Sequence, residues 1–78
     1  MLLLDIFQNC ITELSQAQEN YPDMTSAHEG YAILLEEVDE LWDEIKKKTH
    51  DYTKMEQEAL QVMAMAARFI NDVCRRAK

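Results

Sequence analysis

Residues that interrupt regular structure are almost absent from this chain, which has one proline and one glycine among its 78 residues. Such a chain has few places to turn, and its abundance of Ala, Leu, Glu, Lys, Gln and Met favours helix. Apolar residues make up 47% of the composition, which distinguishes the chain from disordered proteins. We therefore expect an all-α protein that forms one domain over residues 1–78.

Two helices are predicted in the first half of the chain, where apolar residues recur at helical steps. The first covers approximately residues 3–19 and ends before Pro22, whose ring cannot occupy a helix interior. Ser26 and Glu29 form an S-x-x-E capping box that opens the second helix, which extends to about residue 48. The apolar stripe of this second helix consists of Tyr31, Leu34, Leu35, Val38, Leu41, Trp42 and Ile45.

A second capping box, Thr53 with Glu56, is predicted to open a third helix that reaches the C-terminus. The apolar residues of this helix leave almost no polar side and are Ala59, Leu60, Val62, Met63, Ala64, Met65, Ala66, Ala67, Phe69 and Ile70. A helix that is apolar nearly all round is buried nearly all round, and we expect two other short helices to leave part of it uncovered. Self-association is the predicted solution.

Charge and apolar patterning exclude several kinds of partner. The net charge of −7 argues against a nucleic acid duplex, because phosphate neutralisation by Lys and Arg supplies most of that affinity. No apolar run approaches the length of about 18 residues that a membrane span needs. The opening Met1–Leu4 is followed at once by Asp5 and lacks the basic region of a secretion signal. Cys10 and Cys74 lie in apolar helical patterns, so we expect buried thiols and a cytoplasmic location.

Oxygen-bearing side chains lie three positions apart on two of the predicted helices, as Glu37 with Glu40 and as Glu58 with Gln61. This spacing places each pair on one helical face. Paired across a helix interface, such groups suit a hard cation such as Mg²⁺, which keeps several waters and often binds substrate phosphates. The chain has no glycine-rich phosphate loop and no nucleophile with a base at a recognisable spacing, so any hydrolysis would be metal-assisted.

Two simpler interpretations of these residues stay open. In one, the second helix has a solvated acidic face composed of Glu36, Glu37, Asp39, Glu40, Asp43 and Glu44. In the other, Glu58 and Gln61 belong to a polar stripe that pairs with Lys54 and Arg68. A carboxylate within an otherwise apolar helix is costly to bury without a partner or a metal, which favours the metal interpretation for Glu58.

The segments Glu36–Glu40 and Glu58–Gln61 resemble the EExxE…ExxD signature of the MazG-like all-α nucleoside triphosphate pyrophosphohydrolases. Segments 28–32 and 62–66 are similar to a short phage and Gram-positive bacterial branch of that family. One position departs from the signature, because Gln61 stands where the family has Asp. An amide oxygen still binds a hard cation but brings no negative charge, so weaker metal binding is expected.

The resemblance implies a three-helix chain that completes a four-helix-bundle-type core by dimerisation, as a homodimer or a dimer of dimers. It implies cleavage of a nucleoside triphosphate to the monophosphate and pyrophosphate, with Mg²⁺ as cofactor and Mn²⁺ as the alternative. Carried over residue by residue, the metal ligands are Glu37, Glu40 and Glu58, with Gln61 beside them. Glu36 is a further ligand or the base that orients the attacking water.

Lys54 lies one turn before Glu58, where it would reach a substrate phosphate or else form a salt bridge with Glu58. The leading hypothesis is a pyrophosphohydrolase that removes non-standard or surplus nucleotides. The alternative, which Gln61 favours, is a catalytically silent helical dimer that acts as a nucleotide-binding or protein-interaction module. A third interpretation is a structural association domain whose acidic stripe provides solubility.

Overall fold

The computed structural model describes residues 2–76, which form three α-helices and contain no strand. The helices are α1 (Leu2–Asn20), α2 (Ala27–Ile45) and α3 (Tyr52–Phe69). The chain continues after α3 as a π-helical segment, Ile70–Arg75. The all-α prediction is confirmed for this part of the chain, and positions 77 and 78 of the predicted third helix lie outside the described residues. None of the helices within 2–76 combines the length and the apolar character needed to cross a membrane.

Helix α3 lies in the middle of the fold and packs against both α1 and α2. The buried apolar residues at this junction are Cys10, Ala17, Met24, Leu60, Ala64 and Met65. Between Met55 and Phe69, only Glu56 and Gln57 are exposed. Only Leu60, Ala64, Met65 and Arg68 of α3 are buried, and its other apolar residues from Met55 to Phe69 are half-buried, so α1 and α2 cover this helix in part, as expected.

The capping residues of α2 and α3 were predicted with mixed success. Ser26 is the N-cap of α2, as expected, and its hydroxyl accepts a hydrogen bond from the Glu29 N–H at 3.1 Å. The predicted box at Thr53 is wrong, because α3 begins at Tyr52 and Asp51 is its N-cap. The Asp51 carboxylate accepts a hydrogen bond from the Lys54 N–H at 3.1 Å, and so it satisfies one of the free donors of the first turn.

Helix α2 ends at Ile45, three residues before the predicted end. The imidazole Nε2 of His50 lies 2.9 Å from the Ile45 carbonyl oxygen, and it satisfies a carbonyl that has no partner within the helix. Lys46 and Lys47 follow Ile45 and form salt bridges with the exposed Asp43 and the half-buried Glu44. The lysines therefore neutralise the acidic end of α2 without extending it.

Gly30 allows α2 and the end of α3 to come into close contact. A Cβ atom at this buried position would lie 2.6 Å from the Phe69 ring and 3.2 Å from the Met24 sulfur. Carbon atoms in ordinary contact are about 3.5 to 4.0 Å apart, so any larger residue would push the ring away. The single glycine of the chain is thus explained by packing, since it lies within a regular helix and not in a turn.

A buried polar clamp ties the loop between α1 and α2 to the end of α3. The Asp72 carboxylate accepts a hydrogen bond from the Met24 N–H at 3.0 Å and one from the Asn71 side chain at 2.8 Å. The Arg68 guanidinium donates to the Pro22 carbonyl at 2.7 Å and lies 3.8 Å from Asp72. Arg68 and Asp72 are only 3% and 4% exposed, so this clamp belongs to the interior of the fold.

The two cysteines differ in burial, which the sequence did not predict. Cys10 is buried between α1 and α3, as expected, whereas Cys74 is exposed. Cys74 lies two residues after the buried Asp72, so it is turned toward the opposite side of the π-helical segment. The prediction of a buried thiol at Cys74 is wrong for this reason.

Large apolar side chains of α1 and α2 remain exposed in the single chain. Those that are more than half exposed are Leu2, Leu3, Leu4, Phe7, Ile11, Tyr31 and Trp42. The radius of gyration is 13.3 Å, whereas a compact domain of this length has about 11.5 Å. The chain is therefore elongated, and its apolar surface is only partly covered by its own helices.

Replacing Asp72 with Asn is expected to lower the free energy of unfolding by about 3 kcal/mol or more, because the Arg68 charge would be left buried without its counter-ion. Urea unfolding followed by circular dichroism measures this change. The same replacement at the exposed Asp39 serves as a control and should change stability by no more than about 0.5 kcal/mol. Equal effects at the two positions would show that the clamp does not stabilise the fold.

The Asp72 clamp also has a predicted pH dependence. Burial by itself raises the pKa of Asp72, but the hydrogen bonds from Met24 and Asn71 and the charge of Arg68 outweigh it and leave this pKa below its ordinary value of 3.8. Because the pKa is lower in the folded state, the stabilisation is present above pH 3.8 and is lost as the pH falls through the folded value. The difference in stability between wild type and Asp72→Asn should therefore shrink on acidification.

Candidate metal centre

Three carboxylates from two helices converge where α2 packs against α3. Glu37 and Glu40 lie three positions apart on α2, and Glu58 lies on the facing side of α3. One oxygen from each of the three can be chosen so that all lie within 4.8 Å of one another. Glu37 and Glu58 are half-buried and Glu40 is exposed. The fold therefore brings together three of the residues that the sequence predicted as ligands.

The electrostatics of this group are unfavourable when no cation is bound. Burial, followed by the neighbouring carboxylates of Glu40 and Glu58, raises the pKa of Glu37 to about 7. Burial and the carboxylates of Glu40 and Glu44 also raise the pKa of Glu58, against the opposing charge of Lys54. The Glu58 Oε2 atom is buried and has no hydrogen-bond partner among the described residues.

A bound divalent cation would offset the repulsion between these carboxylates and provide a partner for the buried Glu58 oxygen. A buried oxygen without a partner is costly, and like charges held close together disfavour ionisation. Carboxylate oxygens are hard ligands, which Mg²⁺ and Mn²⁺ prefer. The residues present therefore fit a hard divalent cation at Glu37, Glu40 and Glu58.

Glu44 extends the acidic group along α2. It shares a helical face with Glu37 and Glu40, and its charge contributes to the raised pKa of Glu58. One of its oxygens accepts a hydrogen bond from Lys47 at 2.9 Å, while the other is buried without a partner in the described part of the chain. The periodicity of α2 places Glu44 on this face, although Glu44 was not among the predicted ligands.

A cleft of about 660 Å³ adjoins the three carboxylates and lies between α1, α2 and α3. Its walls include Glu36 and Glu37 from α2, Gln61 and Arg68 from α3, and Glu13 from α1. Glu37 therefore belongs both to the carboxylate group and to the cleft. This volume is in the range of sites that hold small molecules, which is about 300 to 1,000 Å³.

Of the remaining predicted site residues, Glu36 and Gln61 line this cleft, whereas Lys54 does not. Glu36 is exposed and lines the cleft, outside the group of three carboxylates. Lys54 is exposed, and the ion pairs formed by residues 2–76 do not include one between Lys54 and Glu58. Arg68 belongs to the buried clamp. The polar stripe in which Glu58 and Gln61 pair with Lys54 and Arg68 is therefore not formed.

Gln61 bonds to a residue that was not among the predicted site residues. Its Nε2 donates a hydrogen bond to Glu13 Oε2 at 2.6 Å, and both side chains line the cleft. Glu13 lies on the first helix, 48 positions earlier, and shares no motif or spacing with the acidic residues of α2 and α3. No signal in the sequence indicated that it would be near them.

Comparison with known proteins gives no match to a family model, to a curated protein or to a solved structure. The resemblance to MazG-like enzymes therefore stays a prediction that depends on the residues quoted for it. The carboxylates and the cleft are structural features that do not depend on this resemblance.

Without divalent cations, the protein is expected to lose thermal stability as the pH rises from about 5 to about 8. The folded state holds a proton on Glu37 up to a pKa of about 7, whereas the unfolded chain releases it near 4.5. Thermal unfolding in a chelator at several pH values measures the slope of melting temperature against pH. Addition of Mg²⁺ should flatten it, because a bound cation stabilises the ionised carboxylates.

The overall negative charge of the chain also disfavours the folded state at higher pH, so two variants separate the causes. Glu37→Gln should have a smaller slope than the wild type, while Glu19→Gln removes the same charge at an exposed position of α1 and should keep the slope. Identical slopes in the wild type and in Glu37→Gln would rule out the proposed protonation of Glu37.

Proposed function

We propose that this protein is a metal-dependent nucleoside triphosphate pyrophosphohydrolase, which converts a nucleoside triphosphate to the monophosphate and pyrophosphate. The observation that carries the proposal is the convergence of Glu37, Glu40 and Glu58 within 4.8 Å beside a cleft of about 660 Å³. The resemblance of Glu36–Glu40 and Glu58–Gln61 to the MazG-like signature supports the same reaction. The substrates of such an enzyme are nucleotides of the cell interior, so a cytoplasmic location is part of the proposal.

The charge of the cleft explains why the reaction would need a cation. Glu13, Glu29, Glu36 and Glu37 line it, and Arg68 is the one basic residue of the described chain that does so. Arg68 is 3% exposed and is already bonded to the Pro22 carbonyl. A triphosphate would be repelled by such a surface unless divalent cations accompanied it.

The side chains divide into binding and positioning roles. Glu37, Glu40 and Glu58 would hold the cation, and when bound, Mg²⁺ or Mn²⁺ screens phosphate charge and makes a coordinated water more acidic. The exposed carboxylate of Glu36 lines the cleft one residue before Glu37, where it would accept a proton from the attacking water. Lys54 is exposed and free to contact a phosphate that extends from the cleft.

The proposal includes a homodimer, or a dimer of dimers, in which α2 supplies the contact. Tyr31, Leu35, Val38 and Trp42 recur at steps of four, three and four, which is the spacing of a helix–helix seam. All four are exposed in the single chain, with Tyr31 at 62% and Trp42 at 56%. Pairing of this stripe between two copies would complete a four-helix core from α2 and α3 of each.

Light scattering at micromolar concentration is expected to give a mass of about two or four times the 9.1 kDa of one chain. Val38→Lys should shift the protein to single chains, because it places a charge in the centre of the stripe. Gln57→Lys adds the same charge at an exposed position of α3 and should leave the assembly intact. A wild-type protein that is monomeric under these conditions would contradict this part of the proposal.

Pyrophosphate release from canonical and modified nucleoside triphosphates, with Mg²⁺ or Mn²⁺ present, is the direct test of activity. Glu40→Gln is expected to reduce the rate by at least about 100-fold, because loss of a ligand removes several kcal/mol of transition-state stabilisation. This loss would also exclude a contaminating enzyme. Glu56→Gln, an identical change at an exposed position of α3, should keep wild-type activity and controls for the removal of a charge.

The outcome also distinguishes the alternative functions. Absence of pyrophosphate release, together with a Mg²⁺-induced rise in melting temperature that Glu40→Gln abolishes, would favour a nucleotide-binding or protein-interaction module. Absence of both effects would favour a structural association domain.

A further inference from the structure

One polar contact joins α1 to the candidate metal centre. The amide Nε2 of Gln61 donates a short hydrogen bond of 2.6 Å to the carboxylate Oε2 of Glu13. Within residues 2–76, no other side-chain hydrogen bond or ion pair connects α1 to α2 or α3. The buried residues of α1, Cys10 and Ala17, pack in the apolar core, so this bond is the directional contact that aligns α1 at the cleft.

The bond determines which way the Gln61 amide points. An ionised carboxylate has acceptors only, so it selects the NH₂ group of the amide and repels its oxygen. With Nε2 held by Glu13, the Oε1 atom must point away from Glu13. Gln61 lies three positions after Glu58 on the same face of α3 and lines the cleft together with Glu37, so its amide group is a neighbour of the three carboxylates.

We propose that Glu13 is a positioning residue of the metal centre, which orients Gln61 so that its amide oxygen serves as a further ligand for a divalent cation at Glu37, Glu40 and Glu58. Glu13 is outside the group of three carboxylates, so it acts through Gln61 and does not bind the ion itself. The Glu13 carboxylate also contributes negative charge near the cation, which the neutral Gln61 amide does not. This inference rests on the proposed function, because it requires a cation at that site.

The test measures the dissociation constant of Mn²⁺ by calorimetry or by electron paramagnetic resonance, in parallel with the melting temperature in a chelator. Glu13→Gln is expected to weaken Mn²⁺ binding by about tenfold, which is the usual effect of losing a group that orients a ligand. In this variant an amide replaces the carboxylate at position 13, and an amide bonds equally well to the NH₂ group or to the oxygen of Gln61. The orientation of the Gln61 amide would therefore no longer be selected. Glu19→Gln, at an exposed position of the same helix, should bind Mn²⁺ as the wild type does.

An exchange of the two side chains separates orientation from simple structural support. The double variant Glu13→Gln with Gln61→Glu keeps the hydrogen bond and the total charge and places a carboxylate at 61. It should bind Mn²⁺ at least as tightly as the wild type. If Glu13→Gln alone fails to fold, the double variant provides the test of the proposal. Mn²⁺ binding that is tenfold weaker than in the wild type, in a folded double variant, would overturn the proposal.

The outcomes separate this inference from the proposed function. If Glu13→Gln lowers the melting temperature in the chelator but binds Mn²⁺ as the wild type does, Glu13 only supports the fold and the inference is overturned. If the wild type binds Mn²⁺ and Glu40→Gln abolishes binding while Glu13→Gln leaves it unchanged, the proposed metal centre stands and the inference alone fails. If the wild type binds no Mn²⁺, both fail.

Discussion

Helix α3 supplies the surface on which the other helices assemble, because its small apolar side chains allow two helices to approach it from different sides. Ala64 is fully buried at this junction, and Gly30 of α2 leaves room for the ring of Phe69. The same helix carries the polar side chains of the cleft. Packing of α2 brings its carboxylates to Glu58, and packing of α1 brings a further carboxylate to Gln61. The contacts that stabilise the fold therefore also assemble the candidate site.

Acidic groups experience two opposite environments in this fold. Asp72 accepts hydrogen bonds and lies beside Arg68, so its pKa is lowered and it stabilises the chain without a ligand. Glu37 and Glu58 are half-buried among other carboxylates, and their pKa values are raised. The first arrangement belongs to the scaffold. The second is favourable only with a bound proton or a bound cation, which is the property expected of a cation site.

Helix content was predictable from local sequence, whereas helix ends were predicted less well. Ser26 was identified correctly as a cap because its hydroxyl accepts a hydrogen bond from the Glu29 N–H, a contact within one helical turn. Near α3, Asp51 and Thr53 are both suitable capping residues, and the choice depends on the turn in which His50 bonds to the end of α2. Such a choice is made by contacts between segments, and intrinsic propensity alone does not specify it.

The sequence by itself determined three helices and the pairing of Glu37 with Glu40 on one face, because both depend on hydrogen bonds and spacings within a few residues. The tertiary structure decided that Glu58 meets this pair and that Glu13 reaches Gln61. These contacts join positions far apart in the chain, so they depend on how α1 and α2 align on α3 as apolar surface is buried. The hydrophobic effect favours burial but does not specify which side chains meet. Contacts between residues far apart in the sequence are therefore determined only when the helices pack.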